Sequence, residues 1–413
     1  MTDPCFSEKQ KMLSVDDAIH YLLTQATPIP ATETVPTIDA TGRVLAEQVV
    51  ATVTVPPADN SAMDGYAVRI EDLQQATTLP ISQRIPAGAT AVPLQAGTAA
   101  RIFTGAPVPE NANAVVMQEK CQQDESGHVT IHHQPREGEN IRYAGEDIQP
   151  GSVILREGAR LRPQDIGLAA SVGVATLTVY AKLRVAIFST GDELVEPGEP
   201  LEAGKIYNSN RYTMTGLLQR LGCDIIDLGT VEDSLDATVD ALTRAAECAD
   251  VIMTSGGVSV GEEDYIKTAL EKLGSVSMWR VAMKPGKPIA YGQVANIPFV
   301  GLPGNPVSVF STFCLFARPF LLKTMGVVED LTARRIPLTA GFEWQKAGPR
   351  REFIRVQVEA DKNGMLIARS FPAQGSGILT STVWADGFVE IKENTTVTEG
   401  DTVTYIPFTE LLC

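Results

Sequence analysis

The sequence predicts a multi-domain α/β plus β protein. It has a central three-layer α/β domain on a mainly parallel sheet, with β domains on either side and a small barrel at the end. Three observations lead there. Residues 183–322 alternate apolar, β-prone runs with helix-length stretches, the pattern of a doubly covered sheet. Residues 35–179 and those after about 330 carry only short β runs, broken by Pro and Gly. Between Asp250 and Ser308, three Gly- and Pro-rich turns each follow a short apolar run. Runs of this kind read as buried strands of a parallel sheet, and ligands bind outside the carboxyl ends of such strands.

At 413 residues the chain should hold about three domains, or four. A net charge of −16 disfavours nucleic acid and anionic membranes as main partners, so an anion site must be a local basic pocket. The six cysteines form no CxxC pair, which fits free thiols in a reducing cytoplasm. The first thirty residues lack a basic region followed by an apolar core, so no signal peptide is expected. The most apolar stretch, residues 307–322, is interrupted by Arg318 and Pro319 and is too short to span a bilayer.

In chain order, SVDD at residues 14–17 reads as a capping box with Ser14 as N-cap. A helix to about Thr24 should follow and bury Ala18, Ile19, Leu22 and Leu23. Two polar clusters interrupt the β region that comes next, DNSAMDGY at residues 59–66 and RYAGED at residues 142–147; ordinary turn chemistry explains either. A strand over 183–189 opens the α/β region. Helices are predicted over 210–221, ending at Gly222, over 235–247 with Ser234 as N-cap, and over 265–273, closed by Gly274. Strands are predicted over 224–228, 251–253, 281–283 and 299–302.

The turns carry the chemistry. In TSGGVSVG (residues 254–261), Gly256, Gly257 and Gly261 would let backbone amides approach a ligand, and Ser255 and Ser259 add hydroxyls. Neither Walker nor dinucleotide spacing is present, and a plain tight turn is the competing reading. Asp264 after that turn and Asp233 after the preceding strand would bring carboxylates to one edge, where beside phosphates they suit Mg²⁺; solvated helix-start carboxylates are the plainer alternative. In KPGKP (residues 284–288), two prolines and a glycine stiffen a turn bearing Lys284 and Lys287, either an anion clamp or a surface turn. In LPGNPVS (residues 302–308), Asn305 is placed to cap a helix with Pro306 at its first position, a second anion cradle or simply a well-capped helix. The four histidines show no zinc pattern.

Taken together, DNSAMDGYA, TGAPVP, GEDI, FSTGDEL, IYNSN, TSGGVSVGEEDY, MKPGKP and LPGNPVS stand in an order that resembles the molybdopterin molybdenumtransferase (MoeA) family, and is similar to the C-terminal domain of gephyrin. The resemblance spans nearly the whole chain. It implies an elongated discontinuous linking domain (13–53 and 141–180), a β domain (54–140), a molybdopterin-binding-like α/β domain (181–328) and a C-terminal β barrel (329–413). It implies a cytoplasmic homodimer that consumes adenylylated molybdopterin and molybdate with Mg²⁺, yields molybdenum cofactor and AMP, and works among other proteins of molybdenum cofactor biosynthesis. By the same resemblance Asp64 and Thr104 would reach across the dimer into the neighbour's cleft. Asp147 and Glu193 are further polar site groups, and Asp233 and Asp264 position metal and substrate. Lys284, Lys287 and Ser308, with Pro288, Pro303, Gly304, Asn305 and Pro306 around them, bind molybdate and phosphate. Arg355 and Ser376 complete the site from the barrel. Arg280 stands where bacterial relatives often carry Lys, and the two are not interchangeable at a geometric site. Two other functions compete: a scaffolding module that keeps the fold and clusters partners, and an adenylyltransferase that makes the activated pterin. The flanking β domains speak against the second.

Overall fold

A computed structural model describes residues 12–258, 265–329 and 331–412. The chain opens on the helix Val15–Gln25, where the Ser14 hydroxyl accepts from the Asp17 N–H at 3.0 Å. Val15, Ala18 and Leu22 are its buried residues, while Ile19 and Leu23 are only partly covered. Lys323 donates to the Leu23 carbonyl at 2.7 Å and so satisfies one orphan acceptor of the last turn.

Strand Thr32–Pro36 pairs with Thr176–Tyr180, and Val49–Val50 with Val153–Leu155, so distant segments build one small unit around Leu45, Leu155, Leu161, Leu177 and Val179. Between them lies a six-stranded sheet in the spatial order Ala114–Met117, Gly65–Val68, Ala99–Ile102, Thr78–Ile85, His128–Ile131, Cys121–Gln123.

The central domain is numbered here in chain order: strands β1 (Arg184–Thr190), β2 (Asp224–Val231), β3 (Val251–Ser255), β4 (Gly274–Arg280), β5 (Pro288–Val294) and β6 (Ile297–Leu302), with helices α1 (Ser209–Leu221), α2 (Leu235–Cys248) and α3 (Tyr265–Leu273). The sheet order is β2-β1-β3-β6-β5-β4. Strands β2, β1, β3 and β6 are parallel, and β5 is antiparallel to both its neighbours. Every residue of β3 is buried, as expected of a central parallel strand covered on both faces. On α2, Thr238, Ala241, Leu242 and Ala245 form the i, i+3, i+4, i+7 stripe that seats it. Gly222 ends α1 in the left-handed region at φ 86°. Gly274 is already the first residue of β4 rather than a cap on α3.

Two further expectations are corrected. Residues 281–283 are not a strand of the central sheet. Met283–Lys284 pairs instead with Arg351–Glu352 of the C-terminal domain, and the β4–β5 hairpin takes the place expected for it. A three-residue apolar run records burial but not which sheet buries it. Nor do Arg318 and Pro319 interrupt the last helix of the domain. That helix, α4, runs Pro306–Thr324, with a wider π turn at Phe313–Ala317 just ahead of Pro319. The π turn relieves the clash of the proline ring with the preceding turn. By length and composition α4 could cross a membrane, but nearly all of it is buried in the core.

Strands Ile336–Ala340, Arg351–Ala360, Leu366–Ser370, Gly387–Ile391 and Thr402–Pro407 form a barrel, closed by pairing Arg351–Ala360 with Gly387–Ile391. Its pairs are antiparallel except Ile336–Ala340 with Leu366–Ser370. Arg351 pins the barrel to the first helix, bonding both Asp16 carboxylate oxygens at 2.9 Å as well as Glu390 and Glu393. The described cysteines Cys121, Cys223, Cys248 and Cys314 are free. Burial pushes the Cys223 and Cys314 thiols up to about 12.

Candidate functional site

Thr190, Val231, Ser255 and Leu302 end the four parallel strands on one edge of the sheet. The chain leaves β1 for β2 on one side and returns to β3 on the other, so the switch point of the topology lies between β1 and β3. There the hydroxyls of Ser189 and Ser255 stand 3.5 Å apart. Asn208, 1% exposed, caps α1 through its side chain and donates to the Thr230 hydroxyl at 3.2 Å. Asn210 donates to the Gly304 carbonyl at 2.7 Å, while its side-chain oxygen is buried with no hydrogen-bond partner. Gly256, at φ 87°, lies against Gly304, where a Cβ would stand 3.8 Å from the Gly256 Cα. The turns after β3 and β6 therefore touch, and the start of α1 ties into them.

The third turn arrives by another route than expected. Because β4 runs parallel to β6, its connection to β5 emerges at the same edge, and that connection contains Lys284–Pro285–Gly286–Lys287. Gly286, at φ 109°, sits against α4. A Cβ there would be 2.5 Å from the Thr312 Cγ2 and 3.6 Å from the Ser308 carbonyl oxygen. The Lys287 carbonyl accepts from the Val281 N–H at 2.9 Å, and Pro288 opens β5 opposite Arg280. The two lysines are not equivalent. Lys284 is ion-paired with Glu352 at 3.2 Å and lies over the Trp344 ring at 5.9 Å. Lys287 is exposed and makes no ion pair among the described residues.

The start of α4 offers fewer amides than its sequence suggested. Asn305 occupies the cap position without a side-chain cap bond, and Pro306 has no N–H. The Val307 N–H donates to the Ser376 carbonyl at 2.9 Å. What remains at the first turn is centred on Ser308, itself 3% exposed. Ser376 thus contributes a backbone carbonyl from the barrel. The loop bearing it is held by Arg355, 1% exposed, which donates to the Gly375 carbonyl at 3.1 Å and the Ser381 hydroxyl at 3.0 Å. Burial without a neighbouring carboxylate pushes the Arg355 guanidinium down to about 10.

Asp233 is half-buried in the turn after β2. Glu193 is exposed, with its carboxylate folded back beside Gly191. Gly257 lies beside Thr190 and Ile266. Ser259, Gly261 and Asp264 lie outside the described residues. Among the described residues no group of three His, Cys, Asp or Glu gathers as a metal cluster.

The remaining predicted residues assemble elsewhere, at one end of the β domain. Ser61 and Asn60 pair with Ile141 and Arg142, and the Asp59 carboxylate accepts from the Ala144 N–H at 2.8 Å, so the two polar clusters of the sequence meet. Thr104 donates to Asp64 from its N–H and its hydroxyl, both at 2.8 Å. These bonds hold the Asp64 carboxyl below its ordinary value. Asp147 is exposed nearby, its N–H on the Val55 carbonyl at 3.1 Å. Among the described residues no hydrogen bond or ion pair joins residues 54–140 to the sheet edge of the same chain. Residue-by-residue reasoning left Glu352, Asn208 and Asn210 without roles; the two asparagines stand inside IYNSN, whose turn chemistry was the available signal.

Comparison with known proteins agrees across the whole chain. Residues 13–173 match the family described as MoeA N-terminal region (domain I and II). Residues 186–323 match a probable molybdopterin binding domain, and residues 337–408 the MoeA C-terminal region (domain IV). The chain is 41% identical to a molybdopterin molybdenumtransferase of Haemophilus influenzae over 97% of its own length and 100% of the relative's. It is 39% identical to molybdopterin molybdenumtransferase 2 of Mycobacterium tuberculosis over 87% and 91%. The crystal structure of the MoeA molybdopterin biosynthesis protein from Pyrococcus horikoshii OT3 superposes with a TM-score of 0.81 at 30% identity, covering 96% of this chain and 100% of that one.

Proposed function

The chain belongs to the MoeA family of molybdopterin molybdenumtransferases, enzymes of molybdenum cofactor biosynthesis, and from that premise we propose that its sheet edge inserts molybdate into adenylylated molybdopterin and releases AMP. The observation that carries this reading is the meeting of three rigid turns on one edge: Gly256 against Gly304, and Gly286 against the first turn of α4. An oxyanion and a phosphoanhydride repel each other, so fixed donors and cations must be assembled before they arrive. Lys287, exposed and making no ion pair among the described residues, and Ser308, at the helix start, suit the oxyanion. Lys284 can join them on leaving Glu352. The dithiolene sulfurs belong to the substrate, so the inert buried thiols of this chain are consistent with the chemistry.

Asp233 follows β2, and the segment containing Asp264 follows β3, the two neighbours of β1. A carboxylate at that edge, as Asp233 offers, fits a hard cation, and Asp233 with Asp264 would hold Mg²⁺. Bound there, Mg²⁺ would neutralise charge on the phosphoanhydride. Asp64 and Thr104 have no hydrogen bond or ion pair to the sheet edge of their own chain among the described residues, which supports a homodimer in which a second copy delivers them.

The test is AMP release from adenylylated molybdopterin with molybdate, with and without EDTA. No AMP under any divalent ion would overturn the reading. Mixing Asp64→Ala and Lys287→Ala chains should restore activity in mixed dimers; failure to restore it would sink the shared site.

A further inference from the structure

Beside Asp64, the β domain carries two facing arginines with no ion-pair partner among the described residues. Tyr66, Arg101 and Arg84 stand in register across three adjacent strands, as Tyr66↔Arg101 and Arg84↔Arg101. Two arginines are thus directly opposite each other, and like charges so placed are destabilising. Neither makes a salt bridge with a carboxylate among the described residues, in a chain of net charge −16. Both guanidiniums also lie over one aromatic ring. The Arg84 guanidinium lies 4.5 Å and that of Arg101 4.6 Å from the Phe103 ring centre, and Arg101 is also 5.1 Å from the Tyr66 ring.

The two arginines differ in freedom. Arg101 is fixed, donating to the Gly65 carbonyl at 2.8 Å and to the Gln118 side chain at 2.6 Å. Gln118 in turn donates its N–H to the Asp64 carbonyl at 3.0 Å, and Arg101 acts electrostatically on the Asp64 carboxylate. Arg84 is exposed and makes no hydrogen bond among the described residues. Phe103 immediately precedes Thr104, the partner of Asp64. The row therefore ends at the residues assigned to the substrate.

We propose that Arg84 and Arg101, both resting on Phe103, form a phosphate-binding fork that takes a phosphate group of the pterin nucleotide substrate. Guanidinium groups match phosphate oxygens through paired, charge-assisted hydrogen bonds, and an anion between them removes their mutual repulsion. Arg101 holds the register while Arg84 closes on the ligand. This rests on the reading of Asp64 and Thr104 as part of the substrate cleft.

The experiment titrates the full-length chain, wild type, Arg84→Ala and Arg84→Lys, with inorganic pyrophosphate by calorimetry, after thermal melts establish that the variants fold alike. Arg84→Ala should bind roughly tenfold more weakly, the size of one charge-assisted contact, and Arg84→Lys should recover only part of that. In turnover, Arg84→Ala should raise KM for adenylylated molybdopterin by a similar factor and leave KM for molybdate unchanged. Equal pyrophosphate affinity in wild type and Arg84→Ala would overturn the fork. So would a rise confined to the molybdate KM, or an effect seen only in dimer dissociation. If the wild-type chain released no AMP at all, the enzymatic reading would fall, while the pyrophosphate titration would still decide the fork.

Discussion

The Asp64 carboxylate accepts two hydrogen bonds on one oxygen, from the N–H and from the hydroxyl of Thr104, forty positions further along the chain. Both bonds stabilise the ionised form, so the folded value lies below the ordinary one and the charge persists to lower pH. Thr104→Val keeps the N–H and removes the hydroxyl. The Asp64 carboxyl should then titrate at higher pH, and the acid limb of kcat/KM should move up with it. Carbon NMR of the carboxyl and a pH–rate profile read the two shifts; an unmoved carboxyl would show that the hydroxyl contributes nothing.

Gly286 tests the turn against the helix. Gly286→Ala places a methyl 2.5 Å from the Thr312 Cγ2 at a φ of 109°. Such a conformation costs on the order of 1–3 kcal/mol for a residue with a side chain. The melt should fall accordingly and molybdate turnover should fall more steeply, because the lysine-bearing turn is displaced. Adding Thr312→Ser removes the clashing methyl but keeps the hydroxyl that bonds the Ser308 carbonyl, so it should restore the steric part only.

If Lys284 binds substrate as proposed, Glu352, its ion-pair partner at 3.2 Å, competes for it. Glu352→Gln should lower KM for molybdate roughly two- to five-fold, in line with the weakness of partly exposed ion pairs. A raised KM would mean that Glu352 positions the lysine rather than restraining it.

Arg351 ties three segments together, and Glu390, with its side chain 4% exposed, would be left without that partner. Arg351→Met should destabilise the chain by about 2 kcal/mol, the scale of a charged hydrogen bond rather than of an orphaned buried charge, because Arg335 still pairs with Glu390 at 2.8 Å. The Arg351→Met, Glu390→Gln double variant should lose less than the sum of the single losses. Denaturant melts of all three variants measure this.

The parallel core could be read from the sequence because its inner strands β1, β3 and β6 are largely buried and its helices carry clean caps, as Ser234 and Gly222 do. The Gly- and Pro-rich turns announced the edge for the same reason, since local backbone chemistry is written in residue type. What stayed hidden depends on partners distant in sequence. Nothing about Met283 tells that it joins the barrel, nor about Lys284 that Glu352 meets it, nor about Val307 that its amide is taken by Ser376. Arg84 and Arg101 face each other only once two strands align, and no spacing rule connects them.

The hydrogen bond from Val307 to Ser376 makes the barrel a mechanical part of the proposed anion-binding edge. Rotating the barrel away must either snap that bond, baring one more amide to an incoming oxyanion, or drag the start of α4 along and misalign Ser308. The seating of the barrel and the number of donors open at the start of α4 are thereby coupled through a single bond.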